Sequence, residues 1–335
     1  MLPAILGLSG LALTAPERAF FGAADPAGYI LFARNCAGKA QLKALTDSLR
    51  DLSGRADLPI LIDQEGGRVK RLKPPAWPDF PAQWRFSELY RKAPISAMEA
   101  ARVNAEAIAV VLAEAGINVD CLPLLDVRRE GADDVIGDRA LGAEPMQVAA
   151  LGRAVLDGLK AGGVAGVVKH MPGHGRAGAD SHKTLPVVEA GADELAIDIA
   201  PFRALRDAPM AMTAHVLYPA WDGERPASVS PTIIAEVIRG EIGYDGLLMS
   251  DDLAMEALTG TVAERAQAVI AAGCDVAMHC SGVIEENEAV AGALGGMSEA
   301  ALERLARAMA GVAGKAAAQD YEELAAKRDA LLAYA

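Results

Sequence analysis

No stretch of this sequence gathers basic residues. Lys and Arg number 32 against 45 Asp and Glu, a formal net charge of -13. The chain therefore lacks the positive footprint that a phosphate backbone requires, which argues against nucleic acid as a partner. An anionic membrane surface is disfavoured for the same reason. Cysteine is also sparse. Cys36, Cys121, Cys274 and Cys280 show neither CxxC spacing nor the density of a disulfide scaffold, so four reduced thiols are expected. Gly and charged residues interrupt every apolar run before it is long enough to span a bilayer. The apolar opening "MLPAILGLSGLALTAPERAF" has no basic residue before Arg18 and so lacks the positive start of a signal peptide. It reads as a buried strand followed by a helix that opens at Thr14-Ala-Pro-Glu17, a capping-box spacing. A soluble, cytoplasmic, monomeric protein is expected. No Ser/Pro/Gly-rich linker, composition shift or internal repeat divides the chain.

What is present is a succession of short apolar runs, each followed by a polar or Gly-rich turn and a helix-like segment. The runs are 4–10, 29–35, 58–67, 117–127, 164–173, 208–216, 245–252 and 274–279. Between them lie amphipathic patterns such as 96–116 and 144–163. Continuous apolar strands alternating with helices indicate a parallel sheet buried on both faces. Eight of them predict a closed (β/α)8 TIM-type barrel, an α/β fold, with residues 1–335 as a single domain. The Pro- and Trp-rich stretch 73–86 reads as a long loop, and the Ala-, Glu- and Lys-rich segment 298–335 as helical.

In such a barrel the chemistry sits at the C-terminal ends of the strands. Four runs deliver charged or titratable groups there: Asp63, Lys169 with His170, His215, and Asp251 with Asp252. An unpaired buried charge is costly, so this placement is informative. Each residue also has a structural reading. Arg68 or Arg71 can pair with Asp63 or Glu65, and His215 can be a hydrogen-bonded lining residue. Asp251 and Asp252 are consecutive, so strand alternation predicts that one faces a ligand while the other caps the next helix.

Three of the five histidines fall within "KHMPGHGRAGADSHKTLP", residues 169–186. Imidazole titrates nearest neutrality, so the clustering suggests proton transfer, metal binding or a switch. Pro172 and Gly173 forbid a regular helix between His170 and His174, which disfavours a helical zinc pair. "DQEGGRV" lacks dinucleotide or Walker spacing. Lys169 at a strand end leaves open an imine-forming aldolase, since a buried lysine can be driven neutral and nucleophilic.

"LIDQEGGRVKRL", "DRALGAEP", "KHMPGHGRAGADSHKTLP" and "MSDDLAMEAL" together resemble bacterial family 3 glycoside hydrolases. The likeness is greatest to the single-domain cytoplasmic β-N-acetylglucosaminidases of cell-wall recycling. The resemblance implies Asp251 as nucleophile, His182 as proton donor and acceptor, and Asp180 as its partner. It assigns sugar binding to Asp63, Arg71, Arg139, Lys169 and His170, with no metal and no cofactor. Longer family members carry a second domain that supplies a glutamate acid; with the chain ending at Ala335, the acid is expected from the barrel itself. A retaining mechanism ordinarily uses two carboxyl groups; here an imidazole tuned by Asp180 would replace one. Gly173, Gly175 and Gly178 are expected to give the loop backbone angles closed to other residues. The implied reaction removes terminal non-reducing N-acetylglucosamine from muropeptide fragments such as N-acetylglucosaminyl-anhydromuramyl peptides. The adjacent aspartates, taken as facing opposite sides, disfavour a mechanism using the substrate's own acetamido group. The alternatives are a β-glucosidase or β-xylosidase of the same family, the lysine aldolase, and a catalytically silent sugar-binding barrel.

Overall fold

The computed structural model describes residues 1–334. Eight parallel strands close into one barrel in sequence order: β1 Leu2–Gly7, β2 Pro26–Leu31, β3 Ile60–Ile62, β4 Val119–Asp120, β5 Ala165–Met171, β6 Met210–Thr213, β7 Leu247–Asp252 and β8 Val276–His279. Each lies within a run read as a strand or overlaps it. The run 117–127 is the least regular. Only two of its residues form strand, and it continues as a bridge between Leu124 and Lys169.

Helices α1 Ala15–Ala24 and α2 Lys39–Ser53 follow the first two strands. The third crossover holds α3 Trp84–Lys92 and α4 Pro94–Glu114. Then come α5 Pro145–Ala161, α6 Ala192–Ala204, a wide helical segment over Ile233–Glu241, α7 Val262–Ala272 and α8 Ile284–Ala293. The capping box that opens α1 is present: Glu17 N–H donates to the Thr14 hydroxyl, and the Glu17 carboxylate accepts from Thr14 N–H at 2.9 Å. The stretch expected as loop ends three residues early, because Trp84 starts α3, whose Phe86 and Leu89 are buried.

The segment expected as helical is helical over much of its described residues, 298–334. It holds α9 Glu299–Ala310 and α10 Tyr321–Leu332, separated by turns. Helix α9 places Leu305, Ala308 and Met309 among the side chains that fill the barrel interior, with Val312 just beyond it. Burying one such large side chain stabilises by roughly 1.5–3 kcal/mol, so α9 is a stopper at the N-terminal mouth. A second apolar cluster lies between strands and helices. The C-terminal mouth is left open. All four cysteines are free, and no described helix is long and apolar enough to cross a membrane.

Candidate active site

The open mouth holds a cavity of about 300 Å³. Asp63, Arg71, Arg139, Lys169 and His170 line it, and so do Asp180, His182 and Asp251. The eight residues singled out from sequence thus share one concavity.

Its floor is an ion cluster at the end of β3. Lys169, 3% exposed, lies 2.9 Å from Asp63 and 2.8 Å from Glu65. Arg139 binds both Glu65 oxygens at 2.8 Å, and Arg71 reaches Asp63 at 2.9 Å and stacks on the Phe32 ring. Burial pushes the Glu65 carboxyl up, but Arg139 and Lys169 outweigh it and bring it down to about 2. Asp63 is likewise held well below its usual range: Lys169 and Arg71 overcome its desolvation. Burial opposes the Lys169 ammonium, yet Asp63 and Glu65 raise it well above an ordinary lysine. A lysine held charged is a poor imine former, which removes the physical basis of the aldolase reading. Gln64 fixes the turn that returns Arg71, its side-chain oxygen accepting from the N–H groups of Arg71 and Leu72 at 3.0 Å.

Lys169 and His170 are consecutive, yet both line the cavity. On β5, Val168 pairs with Ala211 and Met171 with Thr213, so three steps along β5 match two along β6. That bulge breaks the alternation of side chains and re-aims them. Asp126, fully buried, then fixes the imidazole: its Oδ2 lies 2.8 Å from Nδ1 of His170, and its Oδ1 accepts from the backbone N–H groups of His170 and His174. A carboxylate only accepts, so Nδ1 carries the hydrogen and Nε2 is free for the cavity. His174 is buried edge-on to His170 at 5.7 Å, and burial pushes its basicity down. Among the described residues no group of three or more His, Cys, Asp or Glu side chains is arranged to hold a metal ion.

The loop that follows is fastened at its base and open at its tip. Gly173 has φ +138°, a conformation that favours glycine. Gly175 matters for a different reason from the one expected: a Cβ there would lie 2.1 Å from the Val127 carbonyl oxygen. Gly178 shows neither a positive φ nor a close neighbour. Arg176 ties the base to Asp198 on α6. At the tip His182 is 66% exposed, its Nδ1 2.8 Å from Asp180 Oδ1, which also accepts from His182 N–H at 3.0 Å. Burial of Asp180 is outweighed by these bonds and the imidazole charge, which hold its carboxyl below the usual range.

The end of β7 corrects a second expectation. Asp251 and Asp252 both line the cavity, because β7 is bulged too: Met249 pairs with Val276, and Asp252 with Met278. The exclusion of an acetamido-assisted mechanism from strand alternation therefore fails. Asp252 does not cap the next helix either, since Thr261 caps α7. Its Oδ1 instead accepts from the N–H groups of Ala254 and Cys280 at 3.0 Å. Asp251 Oδ1 accepts from Asp252 N–H at 2.8 Å, and its Oδ2 has no protein partner among the described residues. Burial pushes the Asp251 carboxyl up, but the imidazoles of His215 and His170 and the Asp252 N–H together hold it below its ordinary value. His215 sits behind the strand, fully buried, with Nδ1 2.6 Å from the Ser228 hydroxyl and Nε2 donating to the Asp252 carbonyl at 3.0 Å.

Two organising residues, Glu65 and Asp126, were not singled out as site residues from sequence. Glu65 stands two places after Asp63, the spacing of one strand face, which was a usable signal. Asp126 had none, because its role depends on β5 lying beside the end of the β4 run.

The arrangement offers unpartnered carboxylate oxygens on Asp251 and Asp252, one exposed imidazole oriented by a carboxylate, and a buried ring of charged donors and acceptors suited to hydroxyl groups. The chain matches the glycosyl hydrolase family 3 N terminal domain over residues 16–312. It is 39% identical over 284 residues to a beta-hexosaminidase of Bordetella avium (strain 197N), across 83% of this chain and 80% of that protein. Its structure is similar to NagZ from Neisseria gonorrhoeae in complex with N-trifluoroacetyl-D-glucosamine, with TM-score 0.86, 31% identity and coverage of 99% and 97% of the two chains. It is also similar to a family 3 beta-N-acetylglucosaminidase from Paenibacillus sp. str. FPU-7, with TM-score 0.87 and 32% identity, across 98% of this chain and 66% of that longer one.

Proposed function

The chain belongs to glycosyl hydrolase family 3, and from that premise we propose that it is a retaining exo-β-N-acetylglucosaminidase. Relatives named beta-hexosaminidase and a similar structure binding an N-acylated glucosamine support the sugar. A cavity of about 300 Å³ suits one terminal sugar ring and so exo action.

The observation that carries the mechanism is the contrast between the two aspartates. Both accept backbone N–H groups through Oδ1 and leave Oδ2 without a protein partner among the described residues. But Asp252 is fastened by two such donors, Ala254 and Cys280, and Asp251 by one, and the imidazoles of His215, His170 and His182 act on Asp251 to favour its carboxylate. In the first step Oδ2 attacks the anomeric carbon while Nε2 of His182 gives its proton to the departing glycosidic oxygen. The resulting glycosyl ester on Asp251 is then hydrolysed by water that passes a proton back to Nε2. Two displacements restore the starting configuration. Asp180 fixes the tautomer, since its carboxylate accepts from Nδ1 and leaves Nε2 to exchange protons. The Asp63, Arg71, Arg139, Lys169 and His170 array holds the sugar hydroxyls against Asp251, and its pre-formed ion pairs spare the site reorganisation during reaction.

The natural substrates on this reading are muropeptide fragments with a terminal N-acetylglucosamine, such as N-acetylglucosaminyl-anhydromuramyl peptides. The reading includes action in the cytoplasm, in keeping with four free thiols. A panel of aryl β-glycosides differing only at the second carbon tests the sugar, and proton NMR of the first-formed anomer tests the stereochemistry. The expected result is turnover of the N-acetylglucosaminide with release of the β-anomer. Preferential turnover of the glucoside or xyloside, or release of the α-anomer, would contradict it.

A further inference from the structure

At the opposite mouth of the barrel, between α9 and the starts of β5, β6 and β7, lies a second cavity of about 400 Å³. It is separate from the site above, and the reaction makes no use of it. Five cationic side chains line it: Arg153 and Lys160 from α5, Arg206 before β6, and Arg304 and Arg307 from α9. In a protein of net charge -13 this is a marked local reversal.

Three carboxylates share the wall. Asp207 is bound by Arg153, and Asp245 by Arg304 and Arg307 at 2.9 and 3.0 Å. These pairs hold the guanidinium groups in place, and each retains further N–H donors, since one guanidinium carries five. Lys160 and Arg206 form no ion pair among the described residues, and both are exposed at the rim. Asp157 is the remaining carboxylate, so the lining has an excess of two positive charges. Leu156, Val164, Ala308 and Val312 give the floor an apolar face. The volume falls in the range of small-molecule sites.

We infer that this mouth is a second binding site, for a small organic phosphate monoester: a dianionic head held at the Lys160 and Arg206 rim with an apolar body on the floor. Two excess charges match a group carrying close to two negative charges at neutral pH, and arginine forks suit phosphate oxygens.

Phenyl phosphate is the probe, titrated calorimetrically against the whole protein in saturating N-acetylglucosamine, which occupies the cationic site at the other mouth. The expected result is saturable one-to-one binding, tighter than that of inorganic phosphate or benzyl alcohol. In the Lys160→Ala/Arg206→Ala double variant it should weaken at least about tenfold, the loss expected from one charge-assisted hydrogen bond, with aryl-glycoside turnover unchanged. Amide resonances of Gly166 and Gly246 should shift on binding while those of His170 and His182 do not, a readout independent of whether the variant folds. Absence of saturation, equal affinity in a folded variant, or shifts confined to the His170 loop would each overturn the inference.

Discussion

Nδ1 of His182 and Oδ1 of Asp180 lie 2.8 Å apart on one exposed loop tip, and the same oxygen accepts the His182 backbone N–H. The imidazole is thus oriented locally, by a residue two positions away, while its other nitrogen stays open. Proton donation matters in proportion to how poor the leaving group is. His182→Ala should lower turnover of disaccharide substrates roughly 10²–10⁴-fold, and that of nitrophenyl glycosides much less. Asp180→Ala should show the same pattern more weakly. Equal losses on both leaving-group classes, in steady-state kinetics, would return the loop to substrate positioning.

The two neighbouring aspartates should separate cleanly. Asp252→Asn keeps an acceptor oxygen for the Ala254 and Cys280 N–H groups, so it should fold and retain most activity. Asp252→Ala leaves those donors unpaired and should lower stability by about 1–3 kcal/mol, read from denaturant midpoints. Asp251→Asn should fold normally and lose at least about 10³-fold in kcat.

The eight strands and their polar ends were legible because a strand buried on both faces is a continuous apolar run, and a charge at its end needs a reason. The bulges in β5 and β7 were not legible. A bulge is a mismatch of register with a neighbouring strand, so nothing in "VVKHM" or "LMSDD" alone encodes it. This is why the alternation argument placed Asp252 wrongly and why Lys169 and His170 share a cavity. Gly175 was identified as special but for the wrong cause, because the backbone it approaches, Val127, belongs to a distant part of the chain.

Asp126 acts through His170 and is a positioning residue. An amide at this position loses the acceptor that keeps hydrogen on Nδ1, or presents a donor to it. Asp126→Asn should reduce kcat/KM by about 10-fold to 100-fold, the effect of losing one hydrogen bond to a charged group. A merely structural role would lower the thermal midpoint and leave kcat/KM of the folded fraction unchanged.

The floor cluster sets the acid limit of stability. Glu65 has its folded value lowered to about 2 from an ordinary 4.5. Its contribution is therefore complete above pH 4.5 and lost as pH falls toward 2, on the order of 3 kcal/mol in all. Asp63, also depressed, adds to the same limb. Lys169 is raised, so its contribution is present below its ordinary 10.5 and lost only at higher pH. Unfolding free energies of the wild type should fall between pH 4.5 and 2, and that limb should be shallower in Glu65→Gln.

The most direct measurement is covalent trapping. A 2-fluoro analogue of the substrate with an activated leaving group slows both displacements but the second more, so the glycosyl-enzyme accumulates and its peptide can be identified by mass spectrometry. The account predicts one label per chain, on Asp251, absent in Asp251→Asn and retained in Asp252→Asn. A label on Asp252 or any other carboxylate would contradict the central claim.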